Sequence, residues 1–194
     1  FTLSSLGRGA KYRSYESSFL LLEDSMICNI CYNSTAPNVG IKLNRDRNTL
    51  KLYMGDTGLL ISHAFDENGL VKEEIYKKLL LGKLEVNEGM VFENVVAQML
   101  TASGHKLYFY SNSSRENKDE RMEIDFLIAK KDPTNRHNVS PIEVKSGKRY
   151  TYSSLGKFMN RFNAQLDVPY ILHTADYAEK DGIVFIPVYW AWLL

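Results

Sequence analysis

Two short apolar runs carry charges where a core strand ordinarily carries none. "MEIDFLIA" (122–129) sets Asp125 among Ile124, Phe126 and Leu127, and "SPIEVK" (140–145) sets Glu143 and Lys145 on either side of Val144. Residues two apart on a strand share a face, so Glu143 and Lys145 project together while Ile142 and Val144 turn into a core. A lone charge in a core strand is costly unless it is paired or metal-bound. The polar stretch "KDPTNRHNV" joins the two runs, so a hairpin is expected, and it would set Asp125 beside Glu143. Adjacent carboxylates repel, and a cation between them relieves the repulsion. A few hard oxygen donors suit Mg²⁺, which keeps several of its waters. Lys145 would then hold or deprotonate a water, or stabilise charge on a phosphate. The bland reading is an ion-pair network in which Lys145 neutralises Glu143 with no metal.

The neighbouring segments alternate between helix and strand. "NEGMVFENVVAQMLTASG" is the strongest helix: Val91, Val95, Met99 and Phe92, Val96, Leu100 make a broad apolar face, and Gly104 closes it. Glu93 interrupts that face and is a candidate third acid. Its plain alternative is a surface glutamate near a positive helix start. Strands are expected over 106–110, 123–129, 140–146, 168–173 and 183–188, with a helix in "SSLGKFMNRFNAQL". Glu123 reads as strand-edge solvation. The closing "VYWAWLL" reads as a strand that completes the core, with an interface as the alternative.

In the first third, residues 11–24 have the helical spacing Tyr12, Tyr15, Phe19, Leu22. "SMICNICYN" and "TLKLYMG" read as strands around the loop "STAPNVGIKLNRDRN". That order is open between a winged helix and a generic small α/β unit. "GDTGLLISHAF" is a turn into a helix capped by Asp56 or Thr57, with a phosphate contact at the helix start as a minor alternative. "LVKEEIYKKLLLGK" is an amphipathic helix. Cys28 and Cys31 look like a metal pair, but zinc needs about four ligands, and neither a second pair nor ligand-spaced histidines are found in the sequence. They read as two buried thiols.

The 194 residues carry a net charge of +1, so nothing global announces a nucleic acid or a membrane. No apolar run approaches the roughly 18 residues of a membrane span, and no segment resembles a signal peptide, so a cytoplasmic location is expected. The first residue is Phe1, so a piece of a longer protein is expected. Charge is uneven: 106–161 holds twelve Lys/Arg against seven Asp/Glu. Lys130, Lys131, Lys148 and Arg149, near the proposed hairpin, are the candidate DNA contacts.

A helix with Glu93, a strand, a strand with Asp125, a strand with Glu143-Val-Lys145, a helix and a strand resemble, in that order, the PD-(D/E)xK nuclease superfamily. Ile124 stands where its motif has proline. The resemblance implies a restriction-endonuclease-like α/β (α+β) fold over 88–194, a mixed sheet flanked by helices. Asp125, Glu143, Lys145 and Glu93 would be catalytic, and Asp125 and Glu143 the Mg²⁺ ligands. Over nearly the whole chain, "LKLYMGDTGLL", "NEGMVFENVVAQML", "LYFYSN", "MEIDFLI" and "PIEVKSG" resemble the C-terminal region, domain of unknown function 4143, of AAA+ ATP-binding proteins. That implies a winged-helix-like segment over 1–60, connecting helices over 61–87, and an ATPase partner. No G-x-x-x-x-G-K-[ST] run occurs here, so ATP belongs to that partner. The implied function is a nucleic-acid-binding, nuclease-like module with a degenerate or an active site. A protein-interaction or regulatory role, and self-association, are the alternatives.

Overall fold

The computed structural model describes residues 7–65, 87–112, 120–129 and 138–194. The helices are α1 (Tyr12–Asp24), α2 (Thr57–Phe65), α3 (Glu88–Ala102) and α4 (Ser153–Phe162). The strands are β1 (Cys28–Ser34), β2 (Arg45–Met54), β3 (Leu107–Asn112), β4 (Met122–Ala129), β5 (Val139–Val144), β6 (Tyr170–His173), β7 (Ala178–Lys180) and β8 (Ile183–Pro187). They form one mixed sheet in the order β2-β1-β3-β4-β5-β6-β8-β7. The expected α/β class is what the chain adopts.

Both faces of the sheet are covered, so the central strands read as nearly continuous apolar runs rather than alternating ones. On one face Tyr12 and Phe19 of α1 and Leu155 and Phe158 of α4 pack with Ile30, Tyr110, Ile124 and Ile171. On the other, Val96, Ala97 and Leu100 of α3 pack with Phe109, Phe126, Ile142 and Leu172. Cys28 and Cys31, three apart on β1, go to opposite layers and are both buried free thiols. Among the described residues, no helix is long and apolar enough to cross a membrane.

The five expected strands lie within two residues of their observed bounds. Two expectations need correction. "VYWAWLL" is not a strand: residues Val188–Leu193 form a 3₁₀ helix. The neighbouring strand β6 ends at His173, paired with Pro187, so no ladder remains to extend. The loop 34–48 is shorter than expected. A 3₁₀ turn occupies Ile41–Asn44 and β2 begins at Arg45, because the hairpin pairing resumes at Asn33↔Asp46 after an irregularity next to Tyr32. Strand β7 had no apolar signal to reveal it, since Ala178, Glu179 and Lys180 are all exposed.

The helix, strand, loop, strand order of residues 11–54 is present. Its hairpin joins the main sheet, with β1 running parallel to β3 through Cys31↔Leu107, Tyr32↔Tyr108 and Asn33↔Phe109. Residues 66–86, which include the expected helix "LVKEEIYKKLLLGK", lie outside the described residues, as do Lys118, Lys130, Lys131 and Arg136.

"GDTGLL" has a structural job. The Gly55 N–H bonds the Ile27 carbonyl at 2.8 Å, and a Cβ on Gly55 would lie 2.0 Å from the Met26 carbonyl oxygen. Only glycine fits that crossing. Asp56 caps α2, its Oδ1 accepting the Leu59 N–H at 2.8 Å.

Candidate functional site

Asp125 sits where the sheet loses its regularity. Tyr108 pairs with Leu127 and Tyr110 with Ile124, so β4 carries one more residue than β3 across this interval. Such a bulge bends a strand and re-aims a side chain. On β5, the Lys145 N–H goes to the Leu172 carbonyl at 2.8 Å, so the preceding N–H, that of Val144, points the other way, toward β4. Asp125 Oδ2 accepts it at 2.8 Å. The carboxylate thus takes the place of a ladder carbonyl at the mouth of the β4–β5 hairpin.

Helix α3 brings the next acid. Asn94 is buried, and its Oδ1 accepts the Met54 N–H at 2.7 Å while its amide donates to the Met54 carbonyl at 3.2 Å and to Thr57 Oγ1 at 3.0 Å. Gln98 Oε1 accepts from the Thr57 hydroxyl at 2.9 Å and from its N–H at 3.1 Å. These bonds fix α3 against the end of β2, and they fix Glu93 with it. Glu93 Oε2 accepts the Tyr53 hydroxyl at 3.0 Å and lies 3.7 Å from Lys51 Nζ. Lys51 also holds Glu123 at 2.7 Å.

Burial and then the Glu93 carboxylate push Asp125 up to about 7, against the opposing pull of the Val144 N–H and of Lys51, with Glu143 adding a smaller push. Burial pulls the Lys51 ammonium down, but Glu93, Glu123 and Asp125 together hold it above its ordinary value. Burial pushes the Cys31 thiol far above its ordinary value, so it is no nucleophile at neutral pH.

A raised carboxyl means that the folded state binds its proton more tightly than the unfolded chain does. Asp125 therefore costs stability as pH rises from about 4 to about 7, and the cost is complete above that. In EDTA, Asp125→Asn should raise stability by roughly 1–3 kcal/mol at pH 8 and leave it nearly unchanged at pH 4. Thermal melts of both chains across that range make the comparison. An equal gain at both ends would reject the assignment.

Glu143 is almost completely buried, with a side-chain exposure of 3%. Its Oε2 meets Lys145 Nζ at 2.5 Å, while its Oε1 is buried with no hydrogen-bond partner among the described residues. A buried carboxylate oxygen without a donor is costly, so its environment asks for a cation. Asp125 and Glu143 are neighbours electrostatically, and the Asp125 carboxylate bonds the backbone one residue beyond Glu143. Among the described residues, no three His, Cys, Asp or Glu side chains converge as a ready metal cage. The donors on offer for a small divalent ion are two carboxylates and backbone carbonyls, with water completing the shell.

Lys148 and Arg149 are exposed in the bend after β5. Glu123, expected to be merely solvated, is tied to Lys51. Sequence reasoning missed Lys51 and Tyr53 altogether. Their signal was available: they stand two apart on a strand, as Glu143 and Lys145 do. A hollow of about 380 Å³ lies elsewhere, lined by Tyr32, Lys42, Arg45, His105, Lys106 and Tyr108, with the Arg45 guanidinium 4.2 Å from the Tyr32 ring centre.

The fold defines an α/β protein in which Lys51, Glu93, Glu123 and Asp125 gather where a helix meets the sheet, with the Glu143–Lys145 pair on the adjoining strand. Residues 88–191, more than half of the chain, match a domain of unknown function (DUF4143), and the chain belongs to that family. Residues 1–68 match a second domain of unknown function (DUF8612). No curated protein and no solved structure matches the chain.

Proposed function

We propose that the chain is a nuclease-like, nucleic-acid-binding module whose acid–lysine cluster takes a magnesium ion. The observation that carries the reading is the buried Oε1 of Glu143, which has no hydrogen-bond partner among the described residues. Two ion-pair groups leave acids in excess: Lys145 meets Glu143, while Lys51 holds Glu93 and Glu123 and answers Asp125, and a divalent cation is a charge that would close the difference. Asp125 and Glu143, with the Val144 carbonyl, would hold it. A bound magnesium ion supplies charge for a phosphate and a more acidic water. Lys145, already at Glu143, is set to keep a water or a phosphate oxygen in position, and Glu93 orients the Tyr53 hydroxyl. Exposed Lys148 and Arg149 offer phosphate contacts beside the site.

The resemblance to C-terminal regions of AAA+ ATP-binding proteins makes an ATPase the expected partner, in a cytoplasmic setting. A second reading, a metal-free ion-pair network on a retired nuclease scaffold, is favoured by the tight Lys145–Glu143 pair. Calorimetric titration of magnesium into the wild type and into Glu143→Gln separates the two. Binding in the wild type that weakens at least about 100-fold in the variant is expected for a true ligand. No heat in the wild type favours the second reading.

A further inference from the structure

We propose that Lys51 is a built-in counter-cation: the N-terminal hairpin keeps an ammonium inside the acid cluster and thereby sets the affinity of the site for a divalent ion. The inference rests on the reading of the cluster as a cation site. It concerns a residue that lies in the segment matching the second family and not in the one matching the first.

The position of Lys51 is not that of a surface lysine. Its side chain is 22% exposed and lies over the Phe109 ring, with Nζ 5.1 Å from the ring centre. Two carboxylates from different elements hold it, Glu123 of β4 at 2.7 Å and Glu93 of α3 at 3.7 Å. Its backbone is paired opposite Cys31 in the hairpin ladder, so the hairpin sets where the side chain starts and which carboxylates it reaches. Glu143 has its own lysine in Lys145. Among the described residues, Lys51 is therefore the cation that answers Glu93, Glu123 and Asp125, and a divalent ion arriving at Asp125 meets that resident positive charge. Like charges a few ångströms apart in a poorly solvated site weaken one another's binding. By linkage, whatever shifts the hairpin shifts metal affinity, and metal binding pushes back on the hairpin by the same factor.

The test is calorimetric titration of magnesium alone into the 194-residue chain, as wild type, Lys51→Gln, Lys51→Met and Lys51→Arg. Glutamine keeps a hydrogen bond to Glu123 without the charge. Methionine keeps the unbranched stem over Phe109 if glutamine fails to fold. At least one folded neutral variant should bind magnesium about ten-fold or more tighter than the wild type, with Lys51→Arg near the wild-type value. Binding that appears only in a neutral variant also supports the proposal, and at the same time removes resident magnesium from the wild type. Equal or weaker affinity in the neutral variants overturns the role of Lys51 while leaving wild-type binding, and the proposed function, intact. Absence of binding in every chain overturns both.

Discussion

Lys145→Ala should lower the stability of the metal-free chain by about 3–5 kcal/mol at pH 8, a loss that comes from what it leaves behind rather than from what it removes. Glu143 is buried, its Oε1 has no hydrogen-bond partner among the described residues, and the Lys145 ammonium meets its Oε2. Truncating the lysine strands a buried carboxylate whose Oε1 has no donor among the described residues. Lys145 itself is 23% exposed, so the pair is screened in part, and the lower end of the range is the better expectation. The double variant Glu143→Leu with Lys145→Met, which removes both charges, should recover most of the loss. Denaturant unfolding of the four chains in EDTA gives the cycle directly. A loss under about 1 kcal/mol for Lys145→Ala would mean that the pair behaves as an exposed one.

The charged strands were legible because their texture is local. Asp125 inside "MEIDFLIA" and Glu143 and Lys145 around Val144 violate the pattern of a core strand, and a violated pattern points to a site. Helix α3 was legible for the opposite reason: its apolar face is regular and Asn87 caps it, accepting the Met90 N–H at 3.2 Å. What could not be read was who faces whom across the sheet. The parallel pairing of β1 with β3 joins residues more than 70 apart, and no local pattern encodes it. Lys51 and Tyr53 reach Glu93 and Glu123 only through that pairing and the docking of α3 by Asn94. The β4 bulge is equally silent in sequence, since the alternation of apolar residues tells nothing of a one-residue slip against β3. The "VYWAWLL" segment misled because its residues favour strands, while the ladder that would have paired them had already ended at His173.

The largest effect expected is chemical. With magnesium present, the wild-type chain should cleave DNA, and Asp125→Ala or Glu143→Ala should each reduce cleavage by about a thousand-fold or more. A metal's stabilisation of developing phosphate charge is worth several kcal/mol, and each 1.4 kcal/mol is roughly ten-fold in rate. The two variants should lose activity for the same reason but differ in the fold. Asp125→Ala deprives the Val144 N–H of its acceptor but relieves the repulsion with Glu93, so its melt should move little. Glu143→Ala removes the orphaned oxygen and leaves the Lys145 ammonium partly exposed to solvent, which is the less costly half of the pair to keep. Loss of cleavage with a retained melt therefore identifies ligands and not props. Lys51→Gln serves as the control within the same cluster: it alters charge without removing a proposed ligand, so cleavage at saturating magnesium should persist. Magnesium-independent cleavage that survives both acid variants would assign the activity to a contaminant. No cleavage by the wild type, with magnesium still bound at Asp125 and Glu143, would leave a cation-dependent nucleic-acid binder. Its affinity for DNA should then fall steeply as salt rises, as expected for contacts made by Lys148 and Arg149 to phosphates.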